Sequence, residues 1–247
     1  MLKITLMMMF AGATTVTAGQ DINAAMTGSC IGGEDPVVVM INREPVSVRE
    51  YRLVMQRQVA GVYAFFKEHQ DLDDHLGYWN ESSQPTSPLA KLREAVRNEL
   101  VRIKVYQGLA KGRNLVKEST FAAFSTELEL ENARRRAAKS TGQVIYGPSQ
   151  YTLSSYYYVR VCELAYTLRC TIAKELEASI AEYDIERFFK EDKASFGDSS
   201  LADVRQGILA VLCTREAEKR LADLCMSAKV SVNESLLRTL VPRSDPR

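Results

Sequence analysis

The sequence predicts a mainly α fold, a multi-helix domain with a small two-stranded β element that pairs its N- and C-terminal segments. Three observations predict it. Apolar residues recur three or four apart through most of the chain, the pattern of helices with one buried face. Two short segments break that period and are rich in β-branched residues: Val37-Val38-Val39-Met40-Ile41, and Ala228-Lys229-Val230-Ser231-Val232-Asn233. A lone strand leaves its backbone donors and acceptors unsatisfied, so the two are expected to pair and bring the ends of the fold together, with Val230 as a ladder donor.

The elements follow in order. After the first strand, Asn42-Arg43-Glu44-Pro45 supplies turn residues and Ser47-Val48-Arg49-Glu50 has the form of a helix capping box. A long helix is expected behind it, with a stripe of Tyr51, Met55, Val59, Val62 and Phe66 widened by Val54, Tyr63 and Phe65. Gln70 to Ser87 is rich in Asp, Asn, Ser and Pro and reads as a loop or broken helix. Ser87-Pro88 starts a second helix through Leu92, Val96, Leu100, Ile103 and Tyr106, with Gly112 near its end. Ser119 or Thr120 caps a third, carrying Phe121, Phe124 and Leu128; its acids precede Arg134, Arg135, Arg136 and Lys139, which read as a solvated basic terminus. A fourth runs from about Ser149 to Leu176, with at least one of Tyr156, Tyr157 and Tyr158 at a boundary. Asp184 is expected to cap a short helix closed by Phe196-Gly197, and Ser200 to start a last long helix that leads into the closing strand.

Outside this frame, Lys3, the uncharged apolar run Ile4 to Val16 and Val16-Thr17-Ala18 read as a secretory signal peptide. The expected organisation is signal peptide 1–18, flexible leader 19–35, folded domain 36–240 and tail 241–247. Thr27-Gly28-Ser29-Cys30 offers a competing reading, lipidation at Cys30, although polar residues separate it from the apolar run. No segment approaches the roughly 20 apolar residues of a membrane span. The mature protein is therefore expected to be exported, to a periplasm, cell envelope or extracellular space. The chain has 32 basic and 31 acidic side chains, and losing Lys3 brings the basic count to 31, a balance that gives no support to a nucleic-acid partner.

Disulfides are plausible in such a compartment. Cys162 and Cys170 share a predicted helix and stand about 12 Å apart at 1.5 Å per residue; Cys213 and Cys225 stand about 18 Å apart on another. A bridge must join one helix to the other or recruit Cys30, and buried free thiols are the equal alternative. No CxxC or Cys/His grouping suggests a metal or redox site. The only histidines, His69 and His75, read as loop features. No GxSxG, P-loop, GxGxxG or HExxH pattern is present, so no residue stands out as catalytic and no cofactor is expected.

Three segments in this order resemble the chaperone domain of the SurA and PrsA family of exported folding factors. Val39-Met40-Ile41-Asn42-Arg43-Glu44-Pro45-Val46-Ser47 is similar to the family's opening strand and turn, with Arg43 where glycine is usual. A left-handed turn would strain an arginine there. Asp184-Ile185-Glu186-Arg187-Phe188-Phe189 through Phe196 resembles its short acidic helix with paired aromatics. Leu201 to Ile208 and Ala228 to Asn233 resemble its closing helix and strand. Many members carry a parvulin-type prolyl isomerase domain between the aromatic helix and the closing helix. Here only Gly197-Asp198-Ser199 separates Phe196 from Ser200, which leaves no room for it.

The resemblance implies a SurA N-terminal-like domain without that catalytic part: an ATP-independent, non-enzymatic holdase that binds unfolded or extended polypeptides through apolar patches. Candidate client-binding residues are Phe65, Phe66, Tyr78, Trp79, Tyr146, Tyr151 and Tyr156, with core packing as the alternative for each. A non-catalytic adaptor for one defined envelope or extracellular partner is the second reading, and prolyl isomerase activity the third. The return of the last strand to the first also admits a domain-swapped homodimer.

Overall fold

The structure is a computed structural model that describes residues 35–70, 77–80 and 86–242. The signal peptide, most of the leader, Cys30, His75 and the end of the tail lie outside the described residues.

The chain opens on β1 (Val37–Ile41) and β2 (Glu44–Ser47), and the last strand, β3 (Val230–Val232), pairs antiparallel with β1 in the order β2-β1-β3. The ends therefore meet as expected, but in three strands rather than two. Glu44 to Ser47, read as turn and cap, forms a strand because Asn42 and Arg43 make a two-residue hairpin turn with φ of 50° and 73°. Asn42 also ties this turn to the closing strand. Its N–H donates to the Lys229 carbonyl at 2.9 Å, and its Oδ1 accepts from the Lys229 N–H at 2.9 Å.

The register corrects one further expectation. Asn42 bonds to Lys229 and the Asn233 N–H donates to the Val38 carbonyl at 2.9 Å. Antiparallel bonding alternates, so the hydrogen-bonded pair between them is Met40 with Ser231, and the Val230 N–H points away from β1. Ser231, not Val230, supplies the ladder donor.

The remaining elements are α1 (Val48–Gln70), a 3-10 turn (Tyr78–Asn80), α2 (Pro88–Gly112), α3 (Phe121–Ser140), α4 (Leu153–Leu176), α5 (Glu182–Glu191), α6 (Lys193–Phe196), α7 (Leu201–Met226) and α8 (Glu234–Arg238). Ser87, Thr120 and Ser200 accept from backbone N–H groups as N-caps of α2, α3 and α7. α4 begins later than expected. Gly147, at φ 82°, and Pro148 keep the chain non-helical until Thr152, which caps reciprocally with Ser155. Ala181 is the N-cap of α5, so Asp184 lies inside the first turn, where its charge suits the helix dipole, and does not cap.

Two apolar cores run end to end. The first joins the sheet to α1, α2 and the first half of α4, and holds Val38, Ile41, Tyr51, Phe66, Leu92, Leu100 and Tyr157. The second joins the second half of α4 to α5 and α7 through Leu168, Ile172, Ile185, Ile208, Cys213 and Leu221. α3 puts no fully buried apolar side chain larger than alanine into either; Phe121 and Phe124 at its start pack half-buried against the first core, and only Arg135 and Ala138 of its residues are buried. α3 thus stands as an eave over the side of α4, and the space beneath its start is the site.

Candidate functional site

Glu50 lies at the base of this space. Its N–H donates to Ser47 Oγ at 3.2 Å, which is half of the expected capping box. The other half is missing because the carboxylate turns inward, with 1% of the side chain exposed, and forms an ion pair at 2.9 Å with Lys104 Nζ, itself 3% exposed. Tyr157 Oη donates to the other carboxylate oxygen at 2.7 Å. Burial first, and then the Glu50 charge, pushes the Tyr157 hydroxyl pKa well above its ordinary value. With one oxygen held by a tyrosine and the other facing an ammonium, Glu50 is committed to a structural cluster that ties α1, α2 and α4 together. Sequence reasoning missed it, since Glu50 has an ordinary capping role available and Lys104 interrupts the apolar run Ile103-Lys104-Val105. That interruption was the available signal.

Above the cluster opens a cleft of about 680 Å³, bounded by the α2–α3 linker, the start of α3 and the outer face of α4. Its walls are Leu115, Val116, Phe121, Phe124, Val161 and Leu164, and its rim carries Lys117, Glu118, Glu127, Arg160 and Glu163. The volume falls in the range of ligand-binding sites, and apolar walls under a polar rim suit an apolar group presented on a polar chain. The aromatics are held by one another: Phe124 stacks on Tyr156 at 5.4 Å and meets Tyr157 edge-on at 5.1 Å, while Phe121 lies 5.9 Å from Phe124. Arg160 bridges α3 to α4 across the rim, pairing with Glu127 at 2.9 Å and Glu163 at 2.6 Å.

At the far end of α3, Arg135 fastens the α3–α4 connection. It donates to the Tyr146 and Pro148 carbonyls at 2.9 and 2.7 Å, pairs with Glu131 at 2.7 Å and lies 4.4 Å above the Tyr151 ring. Arg134 also pairs with Glu131, at 2.8 Å. Hydrogen bonds from Arg134 and then Arg135 hold the Glu131 carboxyl down at about 2. The basic cluster is thus not simply a solvated terminus: Arg135 is buried and organises a loop.

The seven aromatic candidates do not converge. Phe66, Tyr78 and Trp79 are buried with Tyr63 between α1 and the 3-10 turn, and Phe65 is half-buried, stacked on His69. Tyr156 is buried behind Phe124, Tyr151 is half-buried under Arg135, and Tyr146 alone is widely open, at 87% exposure beside Val144 at 81%. None of the seven lines the cleft. Its walls come instead from Phe121, Phe124 and Leu164, which the sequence marks only as stripe residues; a gap between two helices has no signature in either helix.

Cys162 and Cys170 lie on α4 and Cys213 and Cys225 on α7, as expected, and all four are free thiols. Among the described residues no helix is long and apolar enough to cross a membrane, and no cluster of His, Cys, Asp and Glu could hold a metal ion. No protein-family model, no curated protein and no solved structure matches the chain.

Proposed function

We propose that this is an exported, ATP-independent, chaperone-like protein that binds unfolded or extended polypeptide in the cleft between α3 and α4. The single observation that carries the reading is that cleft: apolar walls from Leu115 to Leu164, a charged rim, and one side made by a helix with two buried residues. α3 is held at its start by half-buried aromatics and by polar pairs rather than by a deep apolar seam, so its first turns can give way to admit segments of different bulk, which suits a binder of many sequences. The strand closure between β1 and β3 and the short Gly197-Asp198-Ser199 connection agree with the resemblance to the SurA and PrsA chaperone domain without its isomerase part. Export rests on the Lys3 to Ala18 pattern.

The test is suppression of aggregation of several unrelated, chemically unfolded proteins at near-stoichiometric amounts, without nucleotide. The wild-type protein is expected to suppress, and Leu164→Arg, which puts a charge on the cleft wall, to lose at least about three-quarters of that effect with little change in Tm. Tyr166→Ser, on an exposed face of α4 outside the cleft, serves as the control and should behave as wild type. Failure with every client, together with one tight partner recovered by the folded protein, would replace this reading with that of an adaptor.

A further inference from the structure

α4 and α7 pack against each other in opposite directions, and the Arg169–Glu218 pair at 3.3 Å sets their register. Counting seven residues, two helical turns, back from Arg169 along α4 reaches Cys162; counting seven forward from Glu218 along α7 reaches Cys225. The two cysteines thus stand at the same level of the helix pair. The Arg102 guanidinium on α2 lies within electrostatic reach of both sulfurs, in keeping with that register. The other combinations fail. At that register Cys170 is level with Ala217 and Cys213 with Lys174, and Cys213 is buried in the second core while Cys170 is exposed.

We infer that Cys162 and Cys225 form a disulfide site that staples α4 to the end of α7. Cys225 lies in the last turn of α7, next to the short connection into β3, so closing the bridge moves the helix end rather than the second core. Cys162 is exposed and Cys225 half-buried, which orders the chemistry. With oxidised glutathione as oxidant, the Cys162 thiolate attacks one glutathione sulfur, breaks the S–S bond and releases a glutathione thiolate. The Cys225 thiolate then attacks the Cys162 sulfur of the mixed disulfide and releases the second. Two protein thiols are oxidised, one glutathione disulfide is reduced, and the two thiol protons end on the released glutathiones. Burial pushes the Cys225 thiol pKa up while Arg102 draws it down, consistent with its acting second. The staple closes a long segment of chain and fixes the helix that delivers the closing strand. It rests on helix register and is independent of the proposed function.

The test incubates the full folded chain with oxidised glutathione, blocks free thiols and digests with trypsin. Cleavage after Arg160, Arg169, Arg220 and Lys229 places each cysteine on its own peptide, 161–169 and 221–229. The expected product is those two peptides joined, with Tm raised by about 5 to 10 °C and restored by dithiothreitol. Either Cys162→Ser or Cys225→Ser abolishes the shift, and Cys170→Ser leaves it intact. A final state with glutathione on Cys162 and Cys225 still free overturns the inference. So does a linkage that uses Cys170, Cys213 or Cys30.

Discussion

At the scale of single residues, the Glu50–Lys104–Tyr157 cluster and the Glu131–Arg135 clasp decide how the cleft is held. A buried ion pair contributes little beyond an apolar pair of the same shape, but removing one partner strands the other charge away from water. Lys104→Met is therefore expected to cost about 3–5 kcal/mol in urea unfolding, and adding Glu50→Leu to recover most of that loss, leaving only the unpaired Tyr157 hydroxyl. The Glu131 clasp depends on pH. Its carboxyl, held at about 2 against an ordinary value of 4.5, contributes stability that is complete above pH 4.5 and disappears as pH falls toward 2. Solvent screening around this surface clasp reduces the effect, so a Glu131→Gln variant should be less stable than wild type by about 1 kcal/mol at pH 7 and nearly equal to it near pH 2, measured as the gap between their unfolding curves. Equal stability at both pH values would remove the clasp from the description of α3. Of the two clusters, only Lys104 inside an apolar run left a mark in the sequence. Glu50 was masked by its capping role, and Arg135 is indistinguishable by composition from Arg134 and Arg136, which are exposed.

The elements themselves were largely legible, because each depends on local chemistry. Ser87-Pro88, Thr120 and Ser200 start helices where an N-cap satisfies free N–H groups, and the stripe from Leu92 to Ile103 turns out buried. What local pattern did not yield was register. β2 was hidden because Glu44-Pro45 reads as turn chemistry when the left-handed pair is Asn42-Arg43, and the alternation of β3 could be fixed only by its partner. That register makes a discriminating prediction. Ser231→Pro removes a ladder donor at the meeting of the two ends and should destabilise the domain by about 2–3 kcal/mol; Val230→Pro, whose N–H faces away, should cost less than about 1 kcal/mol. Thermal unfolding followed by the fluorescence of Trp79, the chain's only tryptophan and buried in the first core, reads both. Equal losses in the two variants would contradict the register.

On the scale of the whole molecule, β3 returning to β1 closes a frame whose two cores share α4, and α3 hangs from that frame over the cleft. The mainly α class was readable because periodicity and caps act within each element, whereas the cleft is a relation between α3 and α4 and left no mark that the aromatic residues could reveal. Four of the seven aromatics are large apolar side chains that the core absorbs. The central claim is that polypeptide binds in this cleft. A photo-reactive benzoylphenylalanine placed at Thr167, on the exposed cleft wall, tests it most directly, with the same group at Tyr183, an exposed position on α5 away from the cleft, for comparison. With a reduced, unfolded client and light, covalent adducts are expected from position 167, to be lost when the client is folded, and not from position 183. Adducts equal at both positions, or absent from 167 while the protein still suppresses aggregation, would contradict the account.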